Sequence, residues 1–157
     1  MANYGLLALC IGAPIVVGGL NSIATRKSIR TWYPTIAKPS WTPPNWLFAP
    51  VWTVLYVMMG VAAWRVIGTG LGRPVVLLAT ILFVVQLLLN ASWSPTFFGA
   101  QDPPKALVVL LAMDVAIIAT VAVFWTIDTT AALLMLPYLA WGLFATALNI
   151  EIVRLNR

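Results

Sequence analysis

The sequence predicts an all-α fold, an integral membrane bundle of five transmembrane helices. Three observations predict it. Of 157 residues, 62% are hydrophobic and only 8% are charged. Mean hydropathy is +0.97. The nine Lys/Arg and four Asp/Glu fall in groups separated by long uncharged stretches. A soluble domain carries roughly a quarter charged residues. A disordered chain combines low hydrophobicity with high net charge. Both classes are excluded.

A bilayer core of about 30 Å takes roughly 20 apolar residues of helix. The charge-free gaps place helices near 4–24, 46–67, 75–99, 105–126 and 131–153, in one domain over 1–157. The first gap holds no charge up to Thr25. No basic segment precedes Tyr4, and Leu9 before Cys10 is a poor lipoprotein cleavage site, so an uncleaved first helix is expected. Its Gly12, Ala13, Gly18, Gly19 and Ser22 allow close helix approach, within the bundle or across a dimer. The second helix lies between Lys38 and Arg65. The third is uncharged from Pro74 to Gln101. The fourth holds one charge, Asp114, near mid-membrane. The fifth is uncharged from Thr129 to Ile150 and can kink at Pro137.

The connection over 25–45 is the long one. Pro34, Pro39, Pro43 and Pro44 exclude a long helix there. Trp32 and Trp41 suit headgroup anchoring. With Tyr33 they also suit a folded lid over a cavity, the reading favoured here, because a solvated linker has little use for three aromatics. No internal repeat is visible.

Arg26, Lys27, Arg30, Lys38, Lys105, Arg154 and Arg157 fall at one end of such a bundle, and Arg65 and Arg73 at the other. The positive-inside rule then puts the N-terminus outside and the C-terminus in the cytoplasm. The net charge of +5 is assigned to orientation and anionic headgroups, not to nucleic acid. One cysteine forms no internal disulfide. The absence of histidine removes histidine-held haem, the usual general base and most transition-metal sites, so no metal site and no conventional catalytic site are expected.

Polar groups in hydrocarbon are costly and face the bundle interior. Gln86, Asn90, Trp93 and Phe97 share one face of the third helix. Phe48, Trp52 and Tyr56 form a stripe on the second. Tyr138, Trp141, Ala145 and Asn149 form one on the fifth. A lone stripe of this kind is ordinarily packing, and amides often bond a neighbouring helix. Three stripes facing one another would instead line a cavity with flat aromatic walls, few hydrogen-bonding groups and room at Ala145. Such a cavity suits a large, flat, mostly apolar ligand that stacks on indoles. Asp114 has no deep cation to pair with. It reads as a neutral or Asn/Ser/Thr-bonded group, with a proton relay as the alternative.

Specific segments then carry a resemblance. They are Trp32-Tyr33, Lys38-Pro39-Ser40-Trp41-Thr42-Pro43-Pro44-Asn45-Trp46 and Ala49-Pro50-Val51-Trp52-Thr53-Val54-Leu55-Tyr56. Leu89-Asn90-Ala91-Ser92-Trp93-Ser94-Pro95, Phe97-Phe98-Gly99-Ala100, Pro137-Tyr138-Leu139-Ala140-Trp141 and Phe144-Ala145-Thr146-Ala147-Leu148-Asn149 follow in order. The chain resembles the tryptophan-rich sensory protein / translocator protein (TspO/MBR) family, the former peripheral-type benzodiazepine receptors.

The resemblance implies five helices around a pocket closed by the first loop, commonly in a homodimer, here in a bacterial cell membrane. It implies porphyrin or haem as ligand with no obligatory cofactor. Some members also bind cholesterol or benzodiazepine-type compounds. Family pocket positions fall on Tyr33, Trp52, Tyr56, Asn90, Trp93, Trp141 and Ala145. The helix faces add Phe48, Gln86 and Tyr138 as ligand-binding candidates. One departure concerns sterols: Ile150 and Glu151 stand where animal members carry the tyrosine of a cholesterol-recognition segment. The expected function is a membrane receptor or sensor for tetrapyrroles. The alternatives are light-dependent porphyrin degradation, with Trp52 and Trp141 as candidate redox residues, and transport of tetrapyrroles or sterols.

Overall fold

A computed structural model describes residues 3–157 of the chain. Every regular element among them is helical: α1 (Tyr4–Thr31), α2 (Asn45–Ile67), α3 (Pro74–Ser94), a π-helical turn (Pro95–Gly99), α4 (Pro103–Trp125) and α5 (Thr129–Leu155). Five of these stretches are long and apolar enough to cross a membrane. The protein is an integral membrane protein.

Local chemistry sets the starts. Asn3 Oδ1 accepts from the Leu6 N–H at 3.0 Å, Asp102 Oδ1 from Lys105 at 3.0 Å, and Asp128 Oδ1 from Ala131 at 2.9 Å. These side chains satisfy N–H groups that the first helical turn leaves without partners. Prolines open α3 and α4, where the missing N–H costs nothing. The Lys105 ammonium and N–H hold the Asp102 carboxyl below the usual carboxylate range.

The main departure from expectation is at the end of α1. The helix continues past Thr25 to Thr31, so the loop shrinks to 32–44. Arg26, Lys27 and Arg30 favour helix as well as most residues do, and no breaker stands between Thr25 and Pro34. Proline then disfavours the helical conformation at Tyr33. The third span also differs from one continuous helix. Pro95 cannot donate, and the chain widens into one π turn closed by Ala100 N–H to Pro95 O at 2.8 Å.

Helix α5 packs on α4 and α2, α3 packs on α4, and α1 packs mainly on α2 and is the most exposed of the five. At the end away from the loop the bundle is filled. Ala62, Ala63, Val66, Val76, Ala79, Ala131, Ala132 and Met135 are all fully buried there. Arg65 on α2 clamps the α5 cap: its Nε and Nη2 lie 2.9 and 2.8 Å from Asp128 Oδ2. Burial pushes the Asp128 carboxyl up, but the hydrogen bonds from Ala131 and Arg65 outweigh it and hold it below the ordinary range.

Candidate functional site

The other half of the bundle is hollow. A cavity of about 540 Å³ lies between α1, α2, α3 and α5, beneath the 32–44 loop. Helix α2 contributes Phe48, Trp52 and Tyr56, α3 contributes Asn90 and Trp93, and α5 contributes Trp141 and Ala145. Tyr33 enters from the loop. Of the ten residues expected at a ligand site, these eight line one space.

Gln86 and Tyr138 do not line it, and both are fully buried. Gln86 sits one turn deeper on α3, inside the packed core, with its amide nitrogen donating to Phe83 O at 2.9 Å. Tyr138 lies behind the edge of Trp52, with ring centroids 6.1 Å apart. Both occupy the expected helix face. The cavity ends before it reaches them, because the face runs the length of the bundle and the void does not.

The aromatic walls are held by one another and by an amide network. Trp52 stacks on Tyr56 at 5.4 Å, and Tyr56 Oη donates to Asn90 Oδ1 at 2.9 Å. Asn90 Nδ2 donates in turn to Tyr138 Oη at 3.3 Å. Trp93 stacks on Phe97 at 5.3 Å, and its indole N–H points to Asn149 Oδ1 at 3.4 Å. Asn149 Nδ2 donates to Pro103 O at 2.8 Å, tying α5 to the start of α4. Buried polar groups satisfied in this way make the walls stiff. Phe48 and Trp141 meet edge to face at 5.8 Å.

The loop forms a lid. Trp32 and Tyr33 pack edge-on against Phe97 and Phe98 of the π turn, at centroid distances of 5.5 to 6.5 Å. Trp41 packs on Phe144 at 5.8 Å. Lys38 folds back, donating to Tyr33 O at 2.7 Å and Ile36 O at 2.8 Å, with its ammonium 4.7 Å from the Tyr33 ring centre. Burial pushes the Tyr33 phenol above its ordinary pKa.

A wall on α1 escaped the sequence reading. Gly18, Ser22, Thr25 and Ile29 line the cavity, joined by Ile15, Gly19 and Asn21. The spacing 18-22-25-29 is one helical face, small or polar at Gly18, Ser22 and Thr25 and apolar at Ile29, and that pattern could have found it. A Cβ on Gly18 would lie 2.4 Å from Cε2 of Tyr56, so glycine is what lets the phenol seat there. Ile15, Gly19, Ser22, Ala49 and Thr53 line the cavity yet are exposed. The cavity therefore also opens sideways between α1 and α2, on a face that a bilayer would cover.

Asp114 is outside the cavity. Its Oδ2 accepts from Thr146 Oγ1 at 2.6 Å, which bonds α4 to α5, and its Oδ1 packs where a Cβ on Gly142 would come within 2.7 Å. The threonine partner matches the hydrogen-bonded reading of this carboxyl.

The TspO/MBR family model matches residues 10–155. The chain belongs to the TspO/MBR family. Among its TspO relatives is the "Tryptophan-rich protein TspO" of Chlorobaculum tepidum. It is 45% identical over 150 residues, covering 96% of this chain and 95% of the relative. The protein of the same name in Archaeoglobus fulgidus is 43% identical over 154 residues, covering 98% and 99%. The human "Translocator protein" is 42% identical over 128 residues, covering 80% and 75%. The TspO/MBR match takes in α2, α3, α4 and the lid entire, most of α1 and all of α5, so every cavity residue named above lies within it.

Proposed function

We propose that this protein is a membrane receptor or sensor that binds porphyrins or haem in the lidded cavity. The observation that carries the reading is the meeting of three indoles, Trp52, Trp93 and Trp141, from three helices around one void of about 540 Å³. That volume lies within the roughly 300–1,000 Å³ usual for small-molecule sites. The walls are flat and apolar with few polar groups, the chemistry a macrocycle with a polar edge requires. Family membership supports the same reading, and the name "Tryptophan-rich sensory protein" carried by a Cereibacter sphaeroides relative fits a sensing role. The seven-to-two distribution of basic residues orients the lid and the C-terminus toward the cytoplasm.

The test is a titration of the purified protein in nanodiscs with protoporphyrin IX, followed by tryptophan quenching. Saturable binding is expected, weakened about tenfold or more when Trp52→Ala and Trp141→Ala are combined, since each stacked ring contributes about 0.5–1.5 kcal/mol. Unchanged affinity in the double variant contradicts the site.

A second reading draws on the same indoles. Trp52 and Trp141 both face the cavity, where each could donate an electron to a photoexcited porphyrin. The reduced porphyrin passes that electron to oxygen, leaving an indole cation radical, and the superoxide formed is the oxidant for the ring. Identical bleaching of bound porphyrin by wild type and by the Trp52→Phe/Trp141→Phe variant excludes that role.

A further inference from the structure

The lid has two unequal halves. Its root is buried: Tyr33 is 7% exposed and Phe97, beneath it, 2%. Beyond Pro34 no strap residue is fully buried, and a single side chain at the C-terminal cap of α5 grips its backbone. Asn156 Oδ1 accepts from the Ala37 N–H at 2.9 Å, and Asn156 Nδ2 donates to the Ala37 carbonyl at 2.9 Å. The same Nδ2 donates to Ile152 O at 2.7 Å, in the last turn of α5. One amide thus satisfies both backbone groups of a lid residue and is itself anchored to the helix end, using both of its donors and one acceptor position.

We propose that Asn156 is the latch of the lid: a positioning residue that holds the 34–44 strap over the cavity mouth and sets how fast a ligand is released. Three features make this grip a latch and not a permanent weld. The bonds are exposed, so water competes for both partners and each is worth little on its own. The strap's side chains hold to the bundle only partially: Ile36 is a partly buried residue packed against the cluster of Tyr33, Leu148 and Ile152, and Trp41, which packs on Phe144, is itself 46% exposed. Pro34, Pro39, Pro43 and Pro44 stiffen the strap, so it moves as a unit about its buried root. The ligand side of the argument rests on the porphyrin reading. A porphyrin bearing carboxylates leaves toward water under the lid, because the sideways opening between α1 and α2 would take those charges into hydrocarbon.

The experiment has two arms, on the full-length protein in nanodiscs. The first is hydrogen exchange without ligand. In Asn156→Ala, exchange over the lid segment 33–42 rises about tenfold, the equivalent of losing two weak hydrogen bonds, while α3 and α4 keep their protection. Asn156→Asp, which keeps the acceptor for the Ala37 N–H and loses the donor, falls between wild type and Asn156→Ala. Unchanged lid exchange overturns the latch, whatever the ligand proves to be. The second arm measures dissociation of pre-bound protoporphyrin IX by stopped flow. Dissociation and association both accelerate in Asn156→Ala, with thermal stability retained. A faster-exchanging lid with unaltered dissociation overturns the gating role. Failure of wild type to bind the porphyrin overturns the ligand reading alone, and the exchange arm still decides the latch.

Discussion

The two halves of this bundle solve opposite problems with the same five helices. Away from the lid, alanines, valines and methionines interdigitate to zero exposure, and an Arg65–Asp128 pair staples α2 to the α5 cap. Beneath the lid, indoles and phenols brace one another around a void. Small residues appear in both halves but do different things. Gly60 brings α2 onto α1 so tightly that a Cβ would sit 2.6 Å from the Ile11 Cα. Gly19 lines the cavity with nothing within 4 Å of the same position. The closed half supplies rigidity, and the open half is free to hold a ligand because the closed half does not need it for stability.

The largest effect is expected from breaking the closed half. Gly60→Ala must push backbone against backbone and lowers unfolding stability by about 2 kcal/mol, the middle of the range for overpacked sites. Gly19→Ala leaves stability unchanged. Reversible unfolding in mixed micelles compares the two, and equal effects would erase the distinction.

Next comes filling the open half. Ala145→Phe occupies cavity volume and weakens protoporphyrin binding about tenfold, roughly 1.4 kcal/mol, with no loss of stability. A fall in stability matching the fall in affinity would mean that the void is not spare space.

The smallest effect is electrostatic and belongs to the closed half. Asp128 is held below the ordinary carboxylate range in the folded protein, so its contribution is complete above the unfolded-state pKa near ~3.9 and is lost as pH falls through the lower folded value. Asp128→Ala removes a helix cap and an ion pair and costs about 1 kcal/mol at pH 7. The gap between variant and wild type narrows as pH falls through the lowered folded value and the carboxyl protonates. A constant gap across acid pH would contradict the assignment.

Much of this was legible in the sequence, for identifiable reasons. Charge spacing located the spans, because burying a charge in lipid is costly and leaves long gaps. The aromatic faces of α2, α3 and α5 pointed to the cavity because helical periodicity forces Trp52 and Tyr56, or Trp141 and Ala145, onto one side. Depth along a face was not legible. Gln86 and Tyr138 share the periodicity of their cavity-lining neighbours, and only three-dimensional packing shows that the void stops above them. The α1 wall was missed because small residues read equally well as helix-packing surface. The lid's shortening is not legible from its prolines, because they exclude helix only from position 34 onward and leave 26–31 free to continue α1.

The most direct test of the account is photo-crosslinking with a diazirine-bearing porphyrin in nanodiscs, mapped by mass spectrometry with excess protoporphyrin IX as competitor. Competable labels are expected on the segments around Trp52, Trp93 and Trp141, and none around Trp64 or Trp125. Competable labelling concentrated at Trp64 or Trp125, or spread over the outer face of α1, would place the ligand outside the lidded cavity and contradict it.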